Sequence, residues 1–207
     1  MAKEKSASWR KNIEKNIVPI LLSGGIGVFP TDTIYGVIGS ALKKETVERI
    51  YKLRKRELKK PMIILISSTN DLHMFGIDLN AKQKSVIAKL WPGKISIIFD
   101  CKSKKMSYLH RGTKTLALRL PACRRGRSKD ENLVKILKKT GPLVAPSANL
   151  AGKKSAQTVG EAKKYFGEKV DFYVDCGKLK SMYSTLVKLD KNGEVKILRQ
   201  GAVKINP

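Results

Sequence analysis

Apolar residues along this chain switch repeatedly between a helical and an extended period, and that alternation constrains the fold more than any other property. Ile13, Ile17, Ile20 and Leu21 form one stripe of a helix over 8–23, ended by Gly24 and Gly25, and the next apolar run, Ile26 to Phe29, has strand length. Val47, Ile50, Tyr51 and Leu53 mark a second helix over 41–55, before a β-branched run from Met62 to Ser67 bounded by Pro61. A helix over 80–90 stopped by Pro92 and Gly93, a strand at Ile95 to Phe99, and the alternating TLALRL from Thr115 to Leu120 follow. The pattern continues with a helix over 129–139, a short strand from Leu143 to Ala145 stopped by Pro146, and a helix over 156–166. DFYVD, STLVKLD and EVKILR read as late strands, the last two joined by a hairpin turn at Asp190 to Gly193. Helices and strands interleave with no linker and no internal repeat, and 207 residues at 42% apolar content suit one core. The expected fold is a single α/β domain on a mixed, twisted sheet.

Charge narrows the partners. Lys and Arg number 43 against 17 Asp and Glu, a formal net charge of +26 that favours polyanions such as nucleotides and RNA. Cys101, Cys123 and Cys176 are far apart and odd in number, which suggests neither a disulfide framework nor a zinc site and points to a reducing, cytoplasmic setting. The longest uniformly apolar run, Met62 to Ile66, is far below the roughly 20 residues that span a bilayer, so no membrane partner is expected. Residues 1–9 read as a basic N-terminal arm without the apolar centre of a secretory signal.

Three segments carry chemistry. FPTDTIYG, Phe29 to Gly36, sets Thr31, Asp32 and Thr33 after a strand that Pro30 ends, at the strand's carboxyl end where α/β sheets bind ligands. The same peptide also fits a capping turn. RKRELKKP, Arg54 to Pro61, puts Arg54, Arg56 and Lys60 on one side if it is extended; forked and mobile cations together suit a triphosphate, though a solvated helix end would look similar. APSANLAGKKSAQT, Ala145 to Thr158, offers hydroxyls, the Asn149 amide and backbone N–H groups to phosphate or ribose oxygens, or serves as an ordinary turn. No Walker or Rossmann glycine loop is present, since SGGIG precedes a strand.

These segments, read with WPGKISII, ALRLP, STLVK and ILRQGA, make seven motifs in order that resemble the threonylcarbamoyl-AMP synthases, the Sua5/YrdC/YciO family, over about residues 10–205. The resemblance is to the short, single-domain form. It implies a YrdC-like twisted mixed sheet flanked by helices and open to a basic cavity. It also implies a nucleotidyltransferase reaction in which L-threonine, bicarbonate and ATP give threonylcarbamoyl-AMP and pyrophosphate, an early step towards the t6A modification of tRNA. Carried over by position, Thr33, Arg119, Ala145 and Ser184 are the expected threonine contacts. Arg54, Arg56, Lys60, Thr115, Ser147, Asn149, Ser155 and Arg199 are the expected ATP contacts. Arg56 and Lys60 are the expected catalytic groups, acting by charge stabilisation with no side-chain nucleophile.

Further implications concern partners. Mg2+ accompanies ATP and is held mainly through phosphate oxygens, because the site segments are poor in carboxylates, with Asp32 in the PTDT turn and Glu57 among the cations of RKRELKKP. tRNA or double-stranded RNA and a downstream threonylcarbamoyl transferase are the expected macromolecular partners. An RNA-binding protein without catalysis is the alternative, although only 6% of residues are aromatic. His73 and His110 have no partners at triad-like positions and are read as structural or exposed, and Asp32 is read as organising its turn. Three single positions and one motif depart from the family pattern: Arg54 stands in place of a lysine, Ala151 of a serine and Leu65 of a histidine, and WPGKIS replaces WPGPLT.

Overall fold

The structure is a computed structural model that describes residues 13–122 and 128–205. The N-terminal arm, the start of the first expected helix and Cys123 lie outside the described residues. Helix α1 spans Ile13–Leu22, and strands β1 (Gly27–Pro30) and β2 (Tyr35–Ser40) follow it as an antiparallel pair. Helix α2 (Lys44–Arg54) leads through the RKRELKKP segment to β3 (Ile64–Leu65), the strand core of the MIILIS run, with Ile63 and Ile66 adding one backbone hydrogen bond each, to Ala145 and Arg119 respectively. Helix α3 (Ala81–Leu90), β4 (Ile95–Asp100), the short helix α4 (Ser107–His110) and β5 (Thr115–Arg119) come next. They are followed by α5 (Ser128–Thr140), β6 (Leu143–Val144), α6 (Val159–Phe166), β7 (Phe172–Tyr173), β8 (Thr185–Leu189) and β9 (Val195–Arg199).

Among the described residues the strands form one nine-stranded sheet in the order β7-β1-β2-β6-β3-β5-β4-β8-β9. It is mixed as expected: β7 with β1, β3 with β5 and β4 with β8 run parallel, and the other neighbours are antiparallel. The β8–β9 hairpin closes at the predicted turn, where Gly193, at φ +87°, donates its N–H to the Asp190 carbonyl.

Two apolar cores cover the sheet. The Ile13, Ile17 and Leu21 stripe of α1 packs with Leu133, Ile136 and Leu137 of α5 and with Phe29, Ile38, Leu65 and Leu143 from the strands. Fully burying each such side chain is worth about 1.5–3 kcal/mol, so the stripe fixes α1 although Pro19 lies inside it. The larger core joins Val47, Ile50 and Tyr51 of α2, Ile87 of α3 and Val159, Ala162 and Phe166 of α6 to Val28, Val37, Ile64, Ile97 and Leu118 of the sheet. Local signals set the ends of these helices. Asn80 and Gln83 exchange side-chain to backbone hydrogen bonds at the start of α3, and the Thr158 hydroxyl accepts the Glu161 N–H at the start of α6.

Strand β2 was not expected from the sequence. Its residues, Tyr35 to Ser40, are all buried, and Gly36 and Gly39 interrupt the apolar pattern that marks a strand. Gly36 sits in a tight place. Its Cα faces the APSAN loop so closely that a Cβ would lie 3.2 Å from the Pro146 carbonyl, and Val37 N–H donates to that same carbonyl at 2.9 Å. With Ala148 N–H donating to the Tyr35 carbonyl, the peptide after PTDT is stitched to the loop after β6.

Candidate active site

The sheet and its loops enclose a cavity of about 370 Å³. Its floor is a sheet face, not a strand end as the sequence suggested. Thr115, Ala117 and Arg119 of β5 project together at period two, beside Ile98 of β4 and Leu186 of β8, while Leu116 and Leu118 turn into the core. The walls are Thr31 and Thr33 after β1, Arg54 at the end of α2 with Arg56 and Lys59 to Ile63 beyond it, Ala145 to Ser147 after β6, Tyr183 and Ser184 before β8, and Arg199 at the end of β9. Ten of the twelve expected contacts line it: Thr33, Arg54, Arg56, Lys60, Thr115, Arg119, Ala145, Ser147, Ser184 and Arg199.

Asn149 and Ser155 do not line the cavity. The Asn149 amide donates to the Leu150 and Lys153 carbonyls at 2.7 and 2.8 Å, and its oxygen accepts from Arg54, so the side chain shapes the SANLAG loop from within. Ser155 shares a hydrogen bond with the Tyr183 hydroxyl and supports that lining ring.

The cationic wall converges by a different geometry from the one the sequence suggested. The segment is not extended: Arg54 is the last residue of α2, and Lys55 caps the helix in the left-handed region at φ 50°. Arg54 is buried and forked. Nε donates to the Asn149 carbonyl at 3.0 Å, and Nη2 to Asn149 Oδ1 and Ser147 Oγ at 3.1 and 3.2 Å. A lysine has one point of contact where this guanidinium has a fork, so the departure at position 54 welds α2 to the loop. Burial pushes its pKa down to about 10, with the charge of Arg56 acting in the same direction. Arg56 donates to the Lys60 and Pro61 carbonyls, which closes the loop, and burial lowers its pKa as well. Lys60 is exposed and pairs with Glu57 at 3.0 Å.

Opposite lies the hydroxyl wall. Thr31, not Asp32, organises the PTDT turn: its hydroxyl donates to the Ile34 carbonyl at 2.6 Å and accepts the Thr33 N–H at 3.2 Å. Asp32 instead pairs with Arg119 at 2.9 Å, both side chains almost fully buried. Ser184 Oγ lies 2.8 Å from Ser96 Oγ, which accounts for the hydroxyl kept in WPGKIS, and Arg199 donates to the Ser184 carbonyl while lying over the Tyr183 ring. Burial, and beyond the Tyr183 contact the charge of Arg119, act on the Arg199 pKa, which is lowered. Gly201 of ILRQGA lets the backbones touch, since a Cβ there would collide with the Tyr183 carbonyl and Ser184. Leu65 lies buried in β3, with its side chain in the α1–α5 core. His73 is exposed against Asp78, and His110 is buried with its Nδ1 accepting the Gly112 N–H.

Six cations (Arg54, Arg56, Lys59, Lys60, Arg119 and Arg199), several hydroxyls and no carboxylate among the described lining residues make this a site for an anionic ligand with a polar, neutral end. The sequence profile of the family described as Telomere recombination, Sua5/YciO/YrdC, matches residues 19–201, so the chain belongs to that family. A Methanocaldococcus jannaschii protein provisionally named a threonylcarbamoyl-AMP synthase is 31% identical over 95% of this chain and 89% of its own length. The Pyrococcus abyssi threonylcarbamoyl-AMP synthase is 26% identical over 98% of this chain, which spans 57% of that protein's length. The P. abyssi Sua5 structure complexed with L-threonine superposes with a TM-score of 0.78 at 26% identity, covering 89% of this chain and 53% of that one. Escherichia coli YciO shares the fold at a TM-score of 0.78 and 20% identity, over 93% of this chain and 90% of its own. No helix among the described residues is long and apolar enough to cross a membrane.

Proposed function

We propose that this chain is an L-threonylcarbamoyladenylate synthase, combining L-threonine, bicarbonate and ATP into threonylcarbamoyl-AMP and pyrophosphate for tRNA t6A modification. The observation that carries the reading is that the threonine-type contacts Thr33, Arg119 and Ser184 and the phosphate-type cations Arg54, Arg56, Lys60 and Arg199 line one cavity in a member of this family.

In this reading the threonine amine adds to bicarbonate, water leaves, and a carbamate forms. A carbamate oxygen then attacks the α-phosphorus, and the bond to the β-phosphate oxygen breaks to release pyrophosphate. The attacking atom comes from the substrate, so the protein needs no nucleophile of its own. Arg119 receives the threonine carboxylate, and Thr33 and Ser184 accept or donate at its polar groups. Arg56 and Lys60 offset charge on the phosphates as the pyrophosphate departs, and Arg54 holds Ser147 in reach of them. With no carboxylate among the described lining residues, Mg2+ enters as the counter-ion of ATP, held through phosphate oxygens. Pyrophosphate release measured with each substrate omitted in turn tests the reading. Release that requires all three is expected, and release without threonine contradicts it.

The charge of +26 favours a second reading, RNA binding without catalysis. Its mark is a tRNA affinity that falls steeply with salt in a protein that binds neither ATP nor threonine.

A further inference from the structure

Asp32 is unusual in a cavity system otherwise dominated by cations. It is 4% exposed, and its Oδ1 lies 2.9 Å from Arg119 Nη2. Neither carboxylate oxygen receives a directed hydrogen bond among the described residues, and Arg119 Nε has no partner there either. The pair is therefore held by charge rather than by a saturated set of hydrogen bonds, an expensive arrangement to bury if stability were its only role. Asp32 is not among the residues lining the main cavity. It faces a separate space of about 230 Å³ together with Pro92, Gly93, Lys94 and Asp130, so Asp32 reaches the main cavity through its ion pair with Arg119 and not as a lining residue.

Arg119 needs such a partner. It shares the cavity with Arg54, Arg56 and Arg199, and its charge already bears on Arg199. A lone guanidinium on β5 would turn away from those charges. Asp32 sits on a turn whose backbone Thr31 locks through its hydroxyl, so its carboxylate is a fixed counter-charge.

We propose that Asp32 is a positioning residue that holds the Arg119 guanidinium towards the cavity, so that its remaining donors meet a substrate carboxylate. This rests on the reading of Arg119 as the threonine carboxylate contact. Asp32 sets the direction and net charge of the group that selects an amino acid over its decarboxylated or reduced analogue, without touching the ligand.

The test is calorimetric titration of the full chain with L-threonine, with L-threoninol, which has a hydroxymethyl group in place of the carboxylate, and with ATP. The wild-type chain is expected to prefer threonine over threoninol by about 10- to 150-fold, the value of a charge-assisted contact. In Asp32→Asn, which keeps the volume, that preference shrinks by about tenfold while ATP affinity stays within about twofold. Asp32→Ala shrinks it further, and a thermal melt of each variant identifies loss of fold. Preference for threonine undiminished in folded Asp32→Asn overturns the inference alone, as does an equal loss of ATP and threonine affinity. No threonine binding by the wild-type chain overturns the reading of Arg119 and the inference with it.

Discussion

Replacing Arg54 by alanine removes one side chain that links helix α2 to the loop after β6, and the size of the effect follows from its contacts. Three hydrogen bonds of 3.0 to 3.2 Å run from an ionised donor to the Asn149 carbonyl, Asn149 Oδ1 and Ser147 Oγ, and such bonds contribute about 1.5–3 kcal/mol each. Against this stands the cost of burying the guanidinium. Its pKa falls from 12.5 to about 10, which corresponds to about 3 kcal/mol against holding the charge. Truncation removes both terms and leaves buried acceptors on Asn149, for a net loss of about 2–5 kcal/mol. At roughly 2–4 °C per kcal/mol for a chain of this size, the melting midpoint drops by about 5–15 °C. The damage is local first. Ala151 N–H, which donates to the Arg54 carbonyl at 2.8 Å, exchanges faster with solvent, and ATP affinity falls because Ser147 loses its tether. Differential scanning calorimetry with amide exchange reads both effects. A midpoint within about 1 °C of wild type, with unchanged protection at Ala151, would show that the fork does not hold the loop.

Other perturbations separate the remaining parts of the account. Arg56→Ala is expected to lower kcat/KM for pyrophosphate release by about 10- to 150-fold, since one charge-assisted phosphate contact is lost; unchanged kinetics would remove Arg56 from the site. Gly201→Ala forces a methyl group into the Tyr183 carbonyl and Ser184 and should cost about 1–3 kcal/mol, measured by urea unfolding, with threonine affinity falling in step as Ser184 moves. Tyr35→Phe changes the alkaline limb of stability. Burial, and then the hydrogen bond with Cys176, raise the Tyr35 pKa above its usual 10, so the folded state keeps a proton that the unfolded chain releases. Stability is therefore intact below about pH 10 and declines above it, and the variant should flatten part of that decline in melts across the range. Tyr51, Tyr108 and Tyr173 shift the same way and retain the rest.

Much of this site is legible in the sequence because its walls are contiguous peptides ended by proline or glycine. Pro30 and Pro146 mark where a strand gives way to a wall segment, Pro61 marks where a wall segment gives way to a strand run, and residues two apart on β5 had to share a face. What the sequence hides are contacts between walls. The Asp32–Arg119 pair and the Arg54 fork on Asn149 join segments distant along the chain, and no local period announces them. Asp32 reads as a turn former because Asp favours turns, yet the Thr31 hydroxyl takes that role and releases the carboxylate for an ion pair. Strand β2 stays hidden because Gly36 and Gly39 are set by close approach, not by strand preference, and would weaken a strand elsewhere. The parity argument for Arg54, Arg56 and Lys60 names residues that line one cavity, but through an extended geometry the chain does not adopt: Arg54 ends helix α2 and Lys55 turns the chain in the left-handed region.

The central claim is that one cavity joins threonine to the adenylate of ATP through a carbamate carbon. Incubating the full chain with ATP, L-threonine and isotope-labelled bicarbonate, followed by mass spectrometry of the nucleotide pool, tests it most directly. The account predicts a threonine-containing AMP adduct whose carbamoyl carbon carries the label, abundant in wild type and sharply reduced in Arg119→Ala. An unlabelled threonyl adenylate, or no adduct while tRNA still binds, would contradict it.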